Sequence, residues 1–420
     1  NAEYMGLWLQ PTNPKSLHTI LRVPQCGANI RGSNAKNVNA LVVALRNQRG
    51  ITFSCNLLLM DYNGIAMGDD EVMRCEWDMV LSSVVSQGRR INAHSSTDAL
   101  GVTEFDPTGR FIATGGIARK IRIYPTSSLL QSDVSSPVIY LDQNYVGSNN
   151  YVFTPAKLSS LKWKPGSGLR VIGSGDYDGV VTEFDIETRM AVFERDEHGG
   201  KRVWSVDYCR HANLGVSGSD DGSFQIWDTR CEGGACVGAV RPSRFYSTVS
   251  SAVCAVEFEP VHGVTVAVGC ADKRGYLFDV RMMGEPTAVM EGHSRTVTYV
   301  KFVDEKRVVT SSVDGQLRLW SVEERVRTER IFSGHVNSRN FVGLSVWRQG
   351  GLVLSGSESN QVYVYDRRWG TPIWVHGGDI PSNSIICSVA TCQLFDDHGV
   401  FAAGGSDGVL QVFQAHRRTS

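Results

Sequence analysis

A short apolar segment that ends in an aromatic residue recurs seven times in this chain. The segment has the pattern hydrophobic–any–hydrophobic–aromatic, usually followed by Asp or Ser, and it returns at a period of roughly 42 to 60 residues. Self-similarity at such a period is the signature of solenoids and propellers, so any fold prediction has to account for it first. The aromatic positions are Tyr124, Phe184, Trp227, Phe278, Trp320, Tyr365 and Phe413.

A turn signal precedes most of these aromatics. Gly-His occurs upstream at 292–293 and 334–335, and His198 lies in an equivalent loop. Four of the acids in the turn are followed by Gly and one by Lys, which suits a tight hairpin between two strands. Gly-His, Ser-x-Asp and Trp-Asp at this spacing resemble WD40 repeats, and the resemblance covers residues 74 to 413. The turn acids lie six positions before the aromatic, at Asp178, Asp221, Asp272, Asp314 and Asp407.

The polar residues of this signature predict a buried network inside each blade. A His, a Ser or Thr, an Asp and an indole N–H can satisfy one another's hydrogen bonds away from water. We interpret the His–Asp pairs as structural, since they recur from unit to unit with no nucleophile beside them. Ala118 and Ser359 replace the Asp in the first and sixth units and predict weaker networks there. The sets are His293, Asp314 and Trp320 in the fifth unit, and His198, Asp221 and Trp227 in the third.

The predicted fold is all-β, a seven-bladed WD40 β-propeller spanning residues 74–415. Ring closure needs one blade built from both ends of the domain. The isolated apolar segment Trp77–Leu81 is the expected outer strand of the blade that contains Phe413. The polar segments 127–154 and 231–250 are predicted to be long surface loops.

Residues 1–70 lack the repeat and have short apolar runs at 40–45 and 57–60 between polar stretches. They predict an N-terminal extension that is poorly ordered, with a small accessory element as the alternative.

Composition argues against several functional classes. The 42 Lys and Arg residues balance 43 Asp and Glu, for a net charge of −1, so no overall field attracts nucleic acid or an anionic membrane. No uncharged apolar run reaches about 18 residues. Cys231 and Cys236 have no second pair of ligands nearby, which argues against zinc, and the scattered cysteines favour the reducing cytosol or nucleus. Catalytic and nucleotide-binding motifs are missing, so we expect no enzyme, metal or cofactor.

Three cations and three aromatics are predicted to gather at one mouth of the propeller channel. Lys157 and Arg202 share one offset before the innermost strands of blades two and three, and Trp204 follows two residues later. Such a set would take an extended peptide with a small apolar anchor and an acidic flank. The alternative for each residue alone is a solvated charge or a core aromatic. The remaining members are Tyr177, Arg295 and Phe341.

Several segments around these residues resemble the plant photomorphogenesis propellers. That family comprises the constitutive photomorphogenic ubiquitin ligase, its SPA partners and the repressor of UV-B photomorphogenesis (RUP) proteins. The family has Lys where Arg295 stands, and Arg is not an equivalent donor. The segments are Glu104-Phe105-Asp106, Ala113-Thr114-Gly115-Gly116, Lys157-Leu158-Ser159, Asp176-Tyr177-Asp178-Gly179, Lys201-Arg202-Val203-Trp204-Ser205-Val206-Asp207 and Asn340-Phe341-Val342-Gly343-Leu344.

This resemblance implies a mouth that binds Val-Pro peptides of transcription factors and photoreceptors. Residues 1–70 show neither zinc-ligand spacing nor heptads, so the chain is most similar to a RUP protein. Those proteins bind the UV-B photoreceptor through its tail and core, compete with the photomorphogenic ligase and return the photoreceptor to its inactive homodimer. The resemblance implies a negative regulator in nucleus and cytoplasm.

A second feature offers a different partner. The segment Trp227-Asp228-Thr229-Arg230 resembles the W-D-x-R box with which propellers dock on the damaged-DNA-binding adaptor of cullin-4 ligases. The alternative function is therefore that of a ligase substrate receptor, and a purely structural scaffold comes third. An ordinary exposed cation is the plain interpretation of Arg230.

Overall fold

The computed structural model describes residues 18–21, 39–45, 56–60, 76–86, 98–131, 136–143, 151–231, 236–377, 383–392 and 398–418. The chain divides into two compact units, Asn1–Glu76 and Trp77–Ser420. Most regular structure in these residues is β-strand, and two short 3-10 turns, Thr126–Ser128 and Pro242–Phe245, are also present. No helix within them is long and apolar enough to cross a membrane.

The first unit contains a three-stranded antiparallel sheet. Its strands are His18–Leu21 (β1), Asn39–Leu45 (β2) and Asn56–Met60 (β3), with β2 in the centre. The two apolar runs of the sequence supply β2 and β3. The rest of the predicted extension lies outside the described residues.

The second unit is a seven-bladed propeller, as predicted. Blade one contains Leu100–Phe105 (β5), Phe111–Gly116 (β6), Lys120–Pro125 (β7) and Tyr151–Phe153 (β9). Blade two contains Leu158–Trp163 (β10), Val171–Asp176 (β11), Val181–Asp185 (β12) and Met190–Arg195 (β13). Blade three contains Val203–Tyr208 (β14), Leu214–Ser219 (β15), Phe224–Asp228 (β16) and Cys236–Val240 (β17). Blade four contains Val253–Phe258 (β18), Thr265–Cys270 (β19), Arg274–Asp279 (β20) and Ala288–Glu291 (β21).

The remaining blades complete the ring. Blade five contains Val297–Asp304 (β22), Arg307–Ser312 (β23), Gln316–Ser321 (β24) and Arg327–Phe332 (β25). Blade six contains Leu344–Trp347 (β26), Leu352–Ser355 (β27), Val362–Asp366 (β28) and Trp374–His376 (β29). Blade seven contains Ile386–Thr391 (β30), His398–Gly405 (β31), Leu410–Arg417 (β32), Trp77–Ser86 (β4) and Ile139–Asp142 (β8).

Each recurrent aromatic of the sequence lies on the third strand of its blade and is buried. Because neighbouring blades pack face to face, these large rings fill the space between sheets. In blades three and four, for example, Phe224 and Phe278 are 5.0 Å apart between ring centroids. The recurrent aromatics of the sequence are thus the residues that form the core between blades.

Blade seven closes the ring with strands from distant parts of the chain. The strand β4 pairs antiparallel with β32, from Trp77↔Arg417 to Val85↔Leu410. This confirms the expected role of the isolated apolar segment. A fifth strand, β8, pairs in parallel with the outer side of β4.

The two predicted surface loops are only partly loops, and this corrects the sequence prediction. The segment 127–154 supplies β8 and β9, and the segment 231–250 supplies β17, so each includes the outer strand of a blade. Outer strands of a propeller are short and half-solvated, which leaves little apolar pattern to detect among polar turn residues.

The predicted His–Asp network is complete in blade five. The Nδ1 of His293 lies 2.9 Å from Asp314 Oδ2, and its Nε2 lies 2.7 Å from Thr310 Oγ1, which also accepts the indole N–H of Trp320 at 2.8 Å. Burial opposes ionisation of Asp314, but the hydrogen bond and charge of His293 lower the pKa of that carboxyl.

Two other blades differ from this pattern. In blade three, His198 bonds Asp221 at 3.0 Å and Ser217 at 2.7 Å, but the Trp227 indole N–H has no hydrogen-bond partner among the described residues. Trp227 therefore packs in the core without joining the network that the sequence predicted. In blade two, Asp176 accepts the turn amides while Asp178 points outward and is exposed.

Candidate functional site: the mouth of the channel

A β-bulge recurs at the start of the innermost strand and, in most blades, places one residue against the channel. In six blades the pairing register skips the second residue of that strand. A bulged residue has no ladder partner, so its side chain is free to point elsewhere. The skipped residues are Gly101, Ser159, Trp204, Cys254, Thr298 and Cys387, and all except Thr298 line the central cavity of about 580 Å³.

Five of these bulge residues are small, and Trp204 is the single large one. Blade six contributes its large side chain differently, from the loop ahead of its innermost strand. There Gly343 has φ +75°, and a Cβ at this position would lie 2.6 Å from the backbone nitrogen of Val389 in blade seven. The close approach of the two blades thus requires glycine, and Phe341 lies two residues before it.

Four aromatic rings form a row across the mouth. Trp204 and Phe341 stack with ring centroids 4.4 Å apart and an interplanar angle of 3°. Tyr177 approaches Trp204 at 6.4 Å, and Tyr299 meets Phe341 edge-on at 5.8 Å. We call these four residues the aromatic row. Since blades three and six lie on opposite sides of the ring, their stacked pair bridges the opening and separates blades four and five from blades seven, one and two.

Arg202 holds one end of the aromatic row. Its guanidinium carbon lies 4.0 Å from the ring centroid of Tyr177 and 4.5 Å from that of Trp204. Both distances fall within the range of cation–π attraction. The Arg202 Nε is buried and has no hydrogen-bond partner among the described residues. This arginine therefore orders the two rings, a role that differs from the freely solvated charge considered for it.

The other two predicted cations lie on opposite sides of the aromatic row. Lys157 is exposed, and its carbonyl oxygen accepts the amide N–H of Tyr177 at 3.0 Å. Arg295 donates from Nη1 to the carbonyl oxygen of Ser338 at 2.8 Å, on the loop that leads to Phe341. A ligand that contacts both cations has to cross the row.

Two residues of this site escaped the sequence prediction. Tyr299 lies on the innermost strand of blade five, where a strand aromatic is most simply interpreted as core. Asp220 accepts the indole N–H of Trp204 at 2.5 Å. Its position in the hairpin turn of blade three matches that of Tyr177 in blade two, because both amides bond the residue before the innermost strand. That turn position was the available signal.

Below the mouth, charged side chains surround the same channel, and we call them the charged ring. Lys162 Nζ lies 2.7 Å from Glu104 and 3.7 Å from Asp207. Glu257 is approached by Lys301 Nζ at 3.2 Å and by Arg348 Nη2 at 3.5 Å. Burial opposes ionisation of Glu257, but the charges of Lys301 and Arg348 lower the pKa of its carboxyl. Burial raises the pKa of the Asp207 carboxyl.

The W-D-x-R segment lies at the end of the third strand of blade three. Trp227 is buried, whereas the Arg230 side chain is 70% exposed and donates to Asp228 from Nε at 3.0 Å and from Nη2 at 2.6 Å. The Arg281–Asp279 pair of blade four has the same two-point geometry and the same exposure. The exposed cation is thus fixed in orientation by its own blade.

Comparison with known proteins agrees with this architecture. The WD domain, G-beta repeat model matches residues 86–124, and the model of the Nucleolar protein 10-like, N-terminal domain matches residues 184–366. The chain is 51% identical over 354 residues to the WD repeat-containing protein RUP1 of Arabidopsis thaliana, covering 83% of this chain and 87% of that protein. It is 54% identical over 334 residues to RUP2 of the same plant, covering 77% and 89%.

A more distant similarity extends to larger proteins. The Arabidopsis E3 ubiquitin-protein ligase COP1 is 33% identical over 296 residues, which represent 70% of this chain and 40% of that protein. Fold and matches together define a WD-repeat propeller. At 51–54% identity over most of both chains, it belongs to the family of the WD repeat-containing proteins RUP1 and RUP2.

Proposed function

We propose that this protein is a non-enzymatic adaptor that binds Val-Pro-type peptide segments of the UV-B photoreceptor and related light-signalling proteins. By this binding it acts as a negative regulator of UV-B photomorphogenesis in nucleus and cytoplasm. The kinship with RUP1, RUP2 and COP1 supports an adaptor role in light signalling. The aromatic row at the mouth is the observation that carries the proposal.

The aromatic row suits a short apolar anchor. Stacked rings offer a rigid face that loses little conformational entropy on binding, and aromatic anchors dominate many interfaces. Proline is already restricted in its backbone, so a Val-Pro pair enters such a site at a low ordering cost. The small bulge residues beside Trp204 leave room around the row for this anchor.

The two outlying cations suit an extended peptide with acidic flanks. Lys157 and Arg295 lie on either side of the row. An extended peptide whose apolar anchor contacts the row would therefore bring one acidic flank to each of these cations. Charges at the rim of an interface contribute mainly to orientation and association rate. The competition with the photomorphogenic ligase then follows if both propellers take the same peptide.

The test is a calorimetric titration of a Val-Pro peptide from a UV-B photoreceptor tail into the full chain. We expect Trp204→Ala and Lys157→Ala each to weaken binding by at least roughly tenfold, which corresponds to about 1.4 kcal/mol. Trp204→Phe keeps a stacking ring but loses the bond to Asp220, and its affinity should fall between the parent and the alanine variant.

A matched control distinguishes the site from general surface charge. Lys201 is exposed next to Arg202 in blade three and lies one position before the offset that Lys157 and Arg202 share. Its alanine variant should bind within about twofold of the parent, since Lys201 does not occupy the offset that brings Lys157 to the mouth. Absence of measurable binding by the parent protein contradicts the proposal, as does an equal loss in Lys157→Ala and Lys201→Ala.

The alternative function, docking on a cullin-4 adaptor, rests on the ordered and exposed Arg230. Because Arg281 repeats its geometry without a preceding tryptophan, the two arginines form a matched pair. If the box is used, Arg230→Ala should abolish pull-down of the damaged-DNA-binding adaptor and Arg281→Ala should leave more of it. Unchanged pull-down by Arg230→Ala rules out the alternative and leaves the peptide proposal untouched.

A further inference from the structure

Glu358 lies at the centre of a cluster of hydrogen bonds beside the mouth. Its Oε2 accepts the Ser338 hydroxyl at 2.7 Å, and its Oε1 accepts the backbone amides of Arg339 at 2.7 Å and Asn340 at 2.8 Å. The side-chain amide of Asn340 adds a further bond at 3.0 Å. One carboxylate thus gathers four donors from three consecutive residues.

The residues held in this way form the loop that leads directly to the aromatic row. Phe341 follows Asn340 in the chain and stacks on Trp204. Arg295 of blade five bonds the carbonyl oxygen of Ser338 in the same loop at 2.8 Å. The Glu358 carboxylate therefore fixes the backbone to which both a wall residue and a flanking cation are attached.

Glu358 itself lies in a hairpin turn of blade six that is bonded to the start of the same loop. Its amide donates to the carbonyl oxygen of Val336 at 2.8 Å, in the hairpin turn between β27 and β28. A loop whose amides bond a side chain of a neighbouring hairpin turn is restrained more than one whose amides bond water. The loop has no regular secondary structure of its own to supply that restraint.

We propose that Glu358 is a positioning residue for peptide binding, since its carboxylate clamps the 338–340 loop and thereby orients Phe341 and Arg295. This inference rests on the proposed function for its readout in affinity, but the clamp itself is independent of it. Nothing in the repeat pattern requires an acid here, because the matching turn position is Tyr177 in blade two and Val313 in blade five.

The clamp is stable across the physiological pH range. Burial opposes ionisation of Glu358, but the hydrogen bonds from Ser338, Asn340 and Arg339 lower the pKa of its carboxyl to about 2. The group is charged at any pH at which peptide binding is measured, so protonation cannot release the loop there. Peptide affinity should show no pH step assignable to Glu358 between about pH 5 and 8.

The experiment combines amide hydrogen exchange with peptide titration on the full chain. In Glu358→Ala, the amides of Arg339 and Asn340 should exchange at least about tenfold faster, and the Val-Pro peptide should bind about tenfold more weakly. Glu358→Gln retains one acceptor oxygen in the same shape, and both effects should be smaller in that variant. Glu358→Gln also provides the test of the clamp if the alanine variant fails to fold.

A control separates the clamp from loss of negative charge. Asp407 lies in the corresponding hairpin turn of blade seven, is exposed, and accepts the amide of its own turn residue Val409. Asp407→Asn removes the same charge from the same type of turn and should leave exchange at 339–340 and affinity at parent values.

Each outcome decides one claim. Unchanged exchange at Arg339 and Asn340 in Glu358→Ala overturns the clamp, whatever the peptide does. Faster exchange with unchanged affinity overturns the positioning role. If the parent binds no Val-Pro peptide, the proposed function fails, and the exchange data still judge the clamp alone.

Discussion

The mouth and the charged ring lie on the same channel, yet they are attached to the fold in opposite ways. In the ring, carboxylates bond the backbone of the next blade: Asp207 accepts the Phe258 amide at 2.7 Å, and Glu257 accepts the Phe302 amide at 2.5 Å. In the aromatic row, Trp204 meets other side chains. Ring residues therefore tie neighbouring blades together through the backbone, whereas the row connects blades through side chains alone.

This difference indicates which part of the channel can change without loss of the fold. A side chain on a bulge is outside the strand ladder, so its replacement leaves the backbone bonds intact. A buried carboxylate that joins two blades leaves an unpaired amide and unpaired cations when it is removed. The mouth is the adaptable level of the channel, and the ring is the structural level.

The largest expected effect comes from breaking the ring. Glu257→Ala leaves Lys301 and the Phe302 amide without their buried carboxylate, and we expect the free energy of unfolding to fall by about 3–5 kcal/mol. Urea denaturation, monitored by tryptophan fluorescence, measures this free energy of unfolding. As a control, Glu187→Ala removes a surface partner of Arg170 that is 68% exposed, and should change stability by at most about 0.5 kcal/mol. Equal losses in the two variants contradict a structural ring.

A second effect is a pH dependence of stability that comes from His335, a buried residue of blade six that belongs to neither level. Burial lowers the pKa of His335 to about 4, so the folded protein keeps this imidazole neutral while the unfolded chain protonates it near pH 6.5. Stability should therefore fall as pH drops from about 6.5 to 4, by up to about 3 kcal/mol. The comparison is denaturation at several pH values for the parent and His335→Gln, whose slope should be shallower. Identical slopes of stability against pH in the two proteins would show that His335 does not cause the pH dependence.

The smallest expected effect on stability lies at the mouth. Trp204→Ala removes a half-buried ring that bonds no backbone group, so we expect a loss of about 1 kcal/mol or less, despite the loss of peptide affinity. The same urea titration reports it. A loss as large as that of Glu257→Ala would remove the distinction between the two levels.

The sequence predicted the repeat, the closing strand and the residues near the mouth, because each has a local signature. The seven recurrent aromatics mark the core between blades. The shared offset of Lys157 and Arg202 shows that they occupy equivalent positions in their blades. The outer strands β8, β9 and β17 were missed because short half-solvated strands have almost no pattern.

The sequence alone could not predict that these aromatic side chains form a row. The stack of Trp204 on Phe341 joins blades three and six, and that contact depends on the diameter of the ring and on the clamped loop. Tyr299 has no offset of its own to mark it. Glu358 shares the turn position of Tyr177 and Asp220, but its role comes from the loop that its carboxylate bonds, which the offset does not show.

The pairing of β4 with β32 has a consequence for protein synthesis. Blades one to six are built from local segments and can pair as they leave the ribosome, but β4 has to wait until Leu410–Arg417 has been translated. A nascent chain that stalls before residue 410 is an open arc with the edges of β4 and β31 unsatisfied. Translation of Leu410–Arg417 is therefore what commits this fold, and products that stall earlier expose strand edges that chaperones and proteases can recognise.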